Sequence, residues 1–203
     1  ASDDSTIKFW HLNSLSLMFT FKGHQDVIID ISISGDRTLF ASISMDKTIR
    51  IWSLINGACL DVITDASLVP FHSINFSSQG KLLAVTSEKG RVIVWDLEGF
   101  DLEKTCGHHP KHIKTINLQV PVRNSVFSPG GNLIAVTLEQ GSLGVFTIYG
   151  DFLSTINVCD TLCDFCSFHP NISSLVFAGS SKSGIISLYE IKDQLKLVHE
   201  YNS

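Results

Sequence analysis

Three of the chain's five cysteines and one histidine fall within CDTLCDFCSFHP, Cys159 to Pro170, spaced C-x3-C-x2-C-x2-H. Thiolates and an imidazole at such intervals are the donor set of a zinc site or an iron–sulfur cluster. A second group, CGHHPKH (106–112), supplies Cys106, His108, His109 and His112, donors suited to a soft metal. Whether either group can converge on an ion depends on the elements that carry it.

The 203 residues are 44% hydrophobic and 17% charged, enough apolar material for a core and too few charges for disorder. A formal net charge of −5 argues against a general nucleic-acid or membrane-surface role, since both favour basic patches. No apolar run approaches the roughly 18 residues that span a bilayer, so membrane insertion is not expected. No signal peptide is visible, and the chain opens at Ala1 within a repeat, which implies a start further upstream. Five cysteines suggest no regular disulfide framework; reduced thiols in the cytoplasm or nucleus are expected.

The chain repeats itself. DSTIKFWHL (4–12) matches DKTIRIWSL (46–54) at an offset of 42, and DRTLFASISMDKTIRIW (36–52) matches QGKLLAVTSEKGRVIVW (79–95) at 43. Further copies read GGNLIAVTLEQGSLGVF (130–146) and SSLVFAGSSKSGIISLY (173–189). Trp10, Trp52, Trp95, Phe146 and Tyr189 fall at one position, always a large aromatic. Each unit reads as short strands separated by Gly, Ser, Asp and Asn, and no stretch shows a helical period capped at both ends. Four short strands per unit of this length predict an all-β chain of propeller blades.

At this point the chain resembles the WD-repeat family. GHQDVIIDISISGDRTLFASISMDKTIRIWSL carries the family's Gly-His at Gly23 and His24, its turn aspartate at Asp46 and its closing Trp52, and VIVWDL retains the Trp-Asp pair at Trp95 and Asp96. The resemblance implies a structural network of His24, Ser42, Asp46 and Trp52, with Trp10, Trp52, Trp95, Phe146 and Tyr189 closing successive blades. The rival reading of His, Ser and Asp as a hydrolase triad lacks a G-x-S-x-G elbow, and a triad is defined by geometry rather than composition. At the equivalent places stand Ser67 for His24, Lys89 and Gln140 for Asp46, and Phe146 for Trp52, so the later blades are expected to depend on apolar packing.

The alignment also places the cysteines. FSP (127–129) and FHP (168–170) match, so Cys163–Phe168 reads as the first strand of a blade, with Cys166 at the core position of Ile31 and Ile74. Residues three apart on a strand point to opposite faces, about 10 Å apart at 3.3 Å per residue, too far for one disulfide or one zinc ion. C-x3-C-x2-C is also similar to the motif of radical-SAM enzymes, but that family places it on an α/β barrel and no βαβ pattern is present. Buried packing is therefore the preferred reading for Cys163 and Cys166. Cys106, His108, His109 and His112 are assigned to a long solvated loop between strands, about 97–111.

The expected organisation is one incomplete propeller: a half-blade at 1–21 and blades at about 27–63, 70–117, 122–157 and 165–199. Family propellers usually have seven blades, so the rest is expected from a longer parent chain or from a partner. The resemblance implies a non-catalytic scaffold that binds other proteins within a multiprotein complex, without cofactor or metal. The resemblance leaves two other roles open. Many ubiquitin-ligase substrate receptors carry Arg two residues after the Trp-Asp, where this chain has Glu98. A scaffold in ribosome assembly or RNA processing needs no direct nucleic-acid contact. A metal-dependent enzyme would have to use Cys159, Cys163 and Cys166. No P-loop or G-x-G-x-x-G follows a strand.

Overall fold

Runs such as LFASIS, LLAVTS and LIAVTL combine apolar residues with only small hydroxyl ones, so they suit strands covered on both faces. CLDVIT and FLSTIN hold each apolar pair next to a polar residue and are only partly buried, as strands with a wet side are. The computed structural model, which describes residues 1–64, 70–98 and 110–202, arranges them accordingly.

Strands β1 (Ile7–His11) and β2 (Ser16–Phe21) form a two-stranded ribbon. Four antiparallel four-stranded sheets follow, each a propeller blade. The first comprises β3 (Ile28–Ile33), β4 (Leu39–Ser44), β5 (Thr48–Ser53) and β6 (Cys59–Thr64). The second holds β7 (Phe71–Phe76), β8 (Leu82–Ser87), β9 (Arg91–Asp96) and β10 (Lys111–Asn117). The third has β11 (Val122–Phe127), β12 (Leu133–Leu138), β13 (Ser142–Thr147) and β14 (Phe152–Asn157). The fourth has β15 (Phe165–His169), β16 (Ile172–Ser180), β17 (Ile185–Ile191) and β18 (Leu195–Asn202). The sheets do not close into a ring, and every described element is a strand.

Strand order follows chain order, so each blade is a meander with its first strand at one edge and its fourth at the other. Neighbouring blades meet chiefly through their first strands, and side chains there bond the next blade's backbone. Ile74 N–H donates to Asp30 Oδ2 at 3.0 Å, Phe76 N–H to Ser32 Oγ at 3.0 Å, and Asn75 Nδ2 to the Ser125 carbonyl at 2.6 Å. The core lies between the sheets in separate layers. Ile7, Phe21, Phe40 and Trp52 fill the first, Ile49, Ile51, Leu83 and Trp95 the second, and Val92, Val94, Ile134 and Phe146 the third. Each buried aliphatic side chain stabilises by about 1.5–3 kcal/mol.

The turn between second and third strands needs a left-handed residue in every blade: Lys47, Gly90, Gly141 and Gly184, with φ between 68° and 81°. Glycine supplies it freely in three blades. Gly90 and Gly141 also lie under backbone carbonyls, since a β-carbon there would sit 2.2 Å from Leu118 O and 2.1 Å from Cys159 O. Lys47 adopts the same conformation at a cost, beside the carboxylate of Asp46.

Candidate functional site

The four network residues converge within the first blade. Trp52, on β5, donates its indole N–H to Ser42 Oγ on β4 at 2.8 Å. Ser42 Oγ lies 2.7 Å from His24 Nε2, and His24 Nδ1 lies 2.8 Å from Asp46 Oδ2. Asp46 accepts further bonds from Gln25 N–H, Thr48 N–H and the Thr48 hydroxyl, at 3.0, 2.8 and 2.7 Å. Since the indole can only donate, one direction satisfies every member: indole to hydroxyl, hydroxyl to Nε2, and Nδ1–H to carboxylate. A neutral imidazole fits that chain, and burial pulls the His24 pKa below the ordinary histidine value although Asp46 opposes the shift. Burial alone would raise Asp46, but the Thr48 hydroxyl, the Gln25 amide and His24 hold it down at about 2. Chemically the chain fastens two loops to a sheet. Ser42 is wholly buried and its oxygen is occupied by the indole, so no nucleophile faces solvent here.

The closing aromatics divide. Trp52, Trp95, Phe146 and Tyr189 are buried, and Trp52 stacks on Phe40 with ring centroids 5.8 Å apart. Trp10 is 51% exposed, because β1 pairs with β2 on one edge only and a bulge separates Phe9 from Trp10. Lys89 and Gln140 stand exposed in their turns at the Asp46 position, while Ser67 lies outside the described residues.

The cysteine cluster differs from the sequence reading in one respect. Strand β15 begins at Phe165, not Cys163, because pairing starts where Asp164 N–H donates to Gly179 O at 3.0 Å. Cys163 therefore precedes the strand, and it shares one core cluster with Cys166 instead of facing away from it. Both are buried, and Cys166 Sγ sits 3.8 Å from Ala135 O. Burial pushes the Cys163 thiol up to about 12, with Cys159 adding to the shift, and burial raises Cys166 as well. Such thiols are poor thiolate ligands. Cys59, Cys159, Cys163 and Cys166 are all free, and no three His, Cys, Asp or Glu side chains among the described residues are grouped to hold a metal ion. In the second donor group, His112 belongs to β10 rather than to a loop, with Nε2 2.9 Å from Thr115 Oγ1. Cys106, His108 and His109, with most of the expected 97–111 loop, lie outside the described residues.

A row of side chains escaped the sequence reading. In three blades a bulge near the start of the first strand displaces one residue from the ladder: Ile29, His72 and Arg123. Bulges re-aim side chains. Arg123 pairs with Glu139 at 2.6 Å, and its Nε is buried without a hydrogen-bond partner. Burial, then the Arg123 charge, lowers the His72 pKa. The signal was available, since Ile29, His72 and Arg123 hold one repeat position and differ there in kind.

The family model described as "WD domain, G-beta repeat" matches residues 15–53 and 58–96. The chain is 31% identical over 118 residues to COMPASS component SWD3 of Saccharomyces cerevisiae, covering 54% of this chain and 38% of that protein. It is 36% identical over 99 residues to SIR4-interacting protein SIF2 of the same yeast, covering 48% and 18%. Over 163 residues it is 29% identical to eukaryotic translation initiation factor 3 subunit I of Debaryomyces hansenii, covering 76% and 46%. The chain spans less than half the length of each of these relatives.

Proposed function

The chain belongs to the WD-repeat family, and from that premise we propose that it is a non-catalytic scaffold, joining proteins within a nuclear or cytoplasmic complex. The observation that carries this reading is the combination of WD repeats with relatives named as components of assemblies, a COMPASS component and a translation-initiation-factor subunit. The architecture suits the role. Stacked sheets with separate apolar layers give a stiff body, and loops and displaced side chains such as His72 and Arg123 are available for contact. The polar chain around His24 acts in this account as a clamp on the first blade, and the buried aromatics seal the layers between blades.

The test is gentle affinity purification of the tagged protein with mass spectrometry of what co-elutes. A stoichiometric set of partners is expected, and their identity supplies the process. Elution of the protein alone, or stoichiometric tightly held zinc or iron in the purified material, contradicts the scaffold reading.

A further inference from the structure

The layers between blades are filled unequally. Strand register puts Phe19 and Lys114 at one repeat position, opposite Phe9 and Val94, and Phe21 and Ile116 at another, opposite Ile7 and Val92. On the facing blade, Arg50, Ile93 and Gly144 share one position, and Trp52, Trp95 and Phe146 the next. Between ribbon and first blade, Phe19 and Phe21 pack in one cluster with Trp52, Phe21 edge-on at 5.6 Å, and the Arg50 guanidinium lies over the indole at 5.9 Å. Between the first two blades, Ile63 meets Trp95.

Between the second and third blades, Ile116 and Lys114 meet Gly144 and Phe146, and a cavity of about 600 Å³ opens on the outer side. Ile116, Leu118, Leu138, Phe146 and Phe152 line it, and Lys114 supplies the one charge among the described residues of its wall. Phe152 is 58% exposed and meets Phe146 edge-on, with centroids 5.5 Å apart. The Lys114 stem crosses the mouth over Gly150, where a β-carbon would lie 2.9 Å from its Cε. The layer between the third and fourth blades also has a small residue at this position, Ser187, but Leu195 N–H bonds Ser154 Oγ at 2.9 Å and its side chain is buried there.

We propose that this groove is a binding site for a short extended acidic peptide that inserts one bulky apolar side chain between Phe146 and Ile116. Three features select that occupant. The volume falls in the range of ligand pockets, roughly 300–1,000 Å³, and its wall is mainly aliphatic and aromatic. β10 is the edge strand of its sheet, and among the described residues no further strand pairs its outer side, the place an extended chain would add. The Lys114 ammonium at the mouth favours a carboxylate beside the anchor, and no acid stands among the described residues that line the groove.

The probe is a synthetic peptide of about ten residues, Asp, Glu and Ser around one central Trp, titrated calorimetrically into the full chain. Replacing its Trp by Ala, or its acids by Lys, is expected to weaken binding about tenfold or more. Gly144→Ile, which installs the residue that stands at Ile93, fills the groove and is expected to do the same. Lys114→Glu acts on an exposed side chain and tests the charge without touching the core. Equal binding to Gly144→Ile, equal binding of the Ala peptide, or no binding at all overturns the proposal. The proposal rests on the scaffold reading, yet the two fail separately. Partners that co-purify equally with Gly144→Ile and parent, without peptide binding, sink the groove and leave the scaffold. Peptide binding by a chain that co-purifies with nothing does the opposite.

Discussion

The first and third blades share a backbone and differ in what holds it. In the first, Asp46 grips its own turn through Thr48 and the neighbouring loop through Gln25, and His24, Ser42 and Trp52 continue the chain into the sheet. The third has Gln140 in the Asp46 place, Gly141 supplying the turn, Phe146 closing the sheet and Gly144 where Arg50 stands. Its Ser125 and Thr137 hydroxyls are buried without a hydrogen-bond partner, whereas Ser42 has two. A propeller blade can therefore be fastened by a continuous chain of directed polar bonds or, without that chain, chiefly by apolar layers. The second way leaves the outer layer free to open, which is where the groove lies.

The largest expected effect is on the closing aromatics. Trp52→Ala removes a stacked, hydrogen-bonded core residue and should destabilise by about 3–5 kcal/mol, read by urea or thermal unfolding. Phe146→Ala should cost less, since one side of that ring borders the groove. Equal losses would erase the contrast between the blades.

His24→Ala comes next, at about 1–3 kcal/mol, because Asp46 and Ser42 lose a buried partner. A double-mutant cycle with Asp46→Asn should show coupling of about 0.5–3 kcal/mol. Additive losses would mean that the polar chain does not act as a unit.

Much of this contrast could be read from residues. The fold class was legible because a large aromatic recurs every 42 to 51 residues behind an apolar run, and burial on two faces requires such runs. The convergence of His24, Ser42, Asp46 and Trp52 was legible only through family resemblance, since bonded residues 10, 18 and 22 apart carry no local period. Other features were not legible. The side on which Cys163 lies depended on where pairing begins, two residues later than the pattern suggested. The exposure of Trp10 depended on an unpaired edge. The groove required the pairing register, because Gly144 matters only when Lys114 and Ile116 are known to face it.

The smallest expected effect is that of pH. His24 in the fold has a pKa depressed from 6.5, and Asp46 one depressed from 3.8 to about 2. Both stabilise above their unfolded values, and the contribution is lost as pH falls, because the unfolded chain then binds protons that the fold refuses. Melting temperature should therefore drop as pH falls through 6.5, and again as it falls from 3.8 towards about 2. His72 is depressed too, so the His24 share is the flattening of the first slope in His24→Ala. An unchanged slope would remove His24 from the account.

Native-state amide hydrogen exchange tests the central contrast most directly. If the polar chain locks the first blade and the third, which lacks that chain, depends chiefly on apolar layers, amides of β4 and β5 will exchange only through global unfolding. Those of β13 and β14 will exchange through local opening, at least about tenfold faster. Equal protection of the two blades, or a less protected first blade, would contradict that claim.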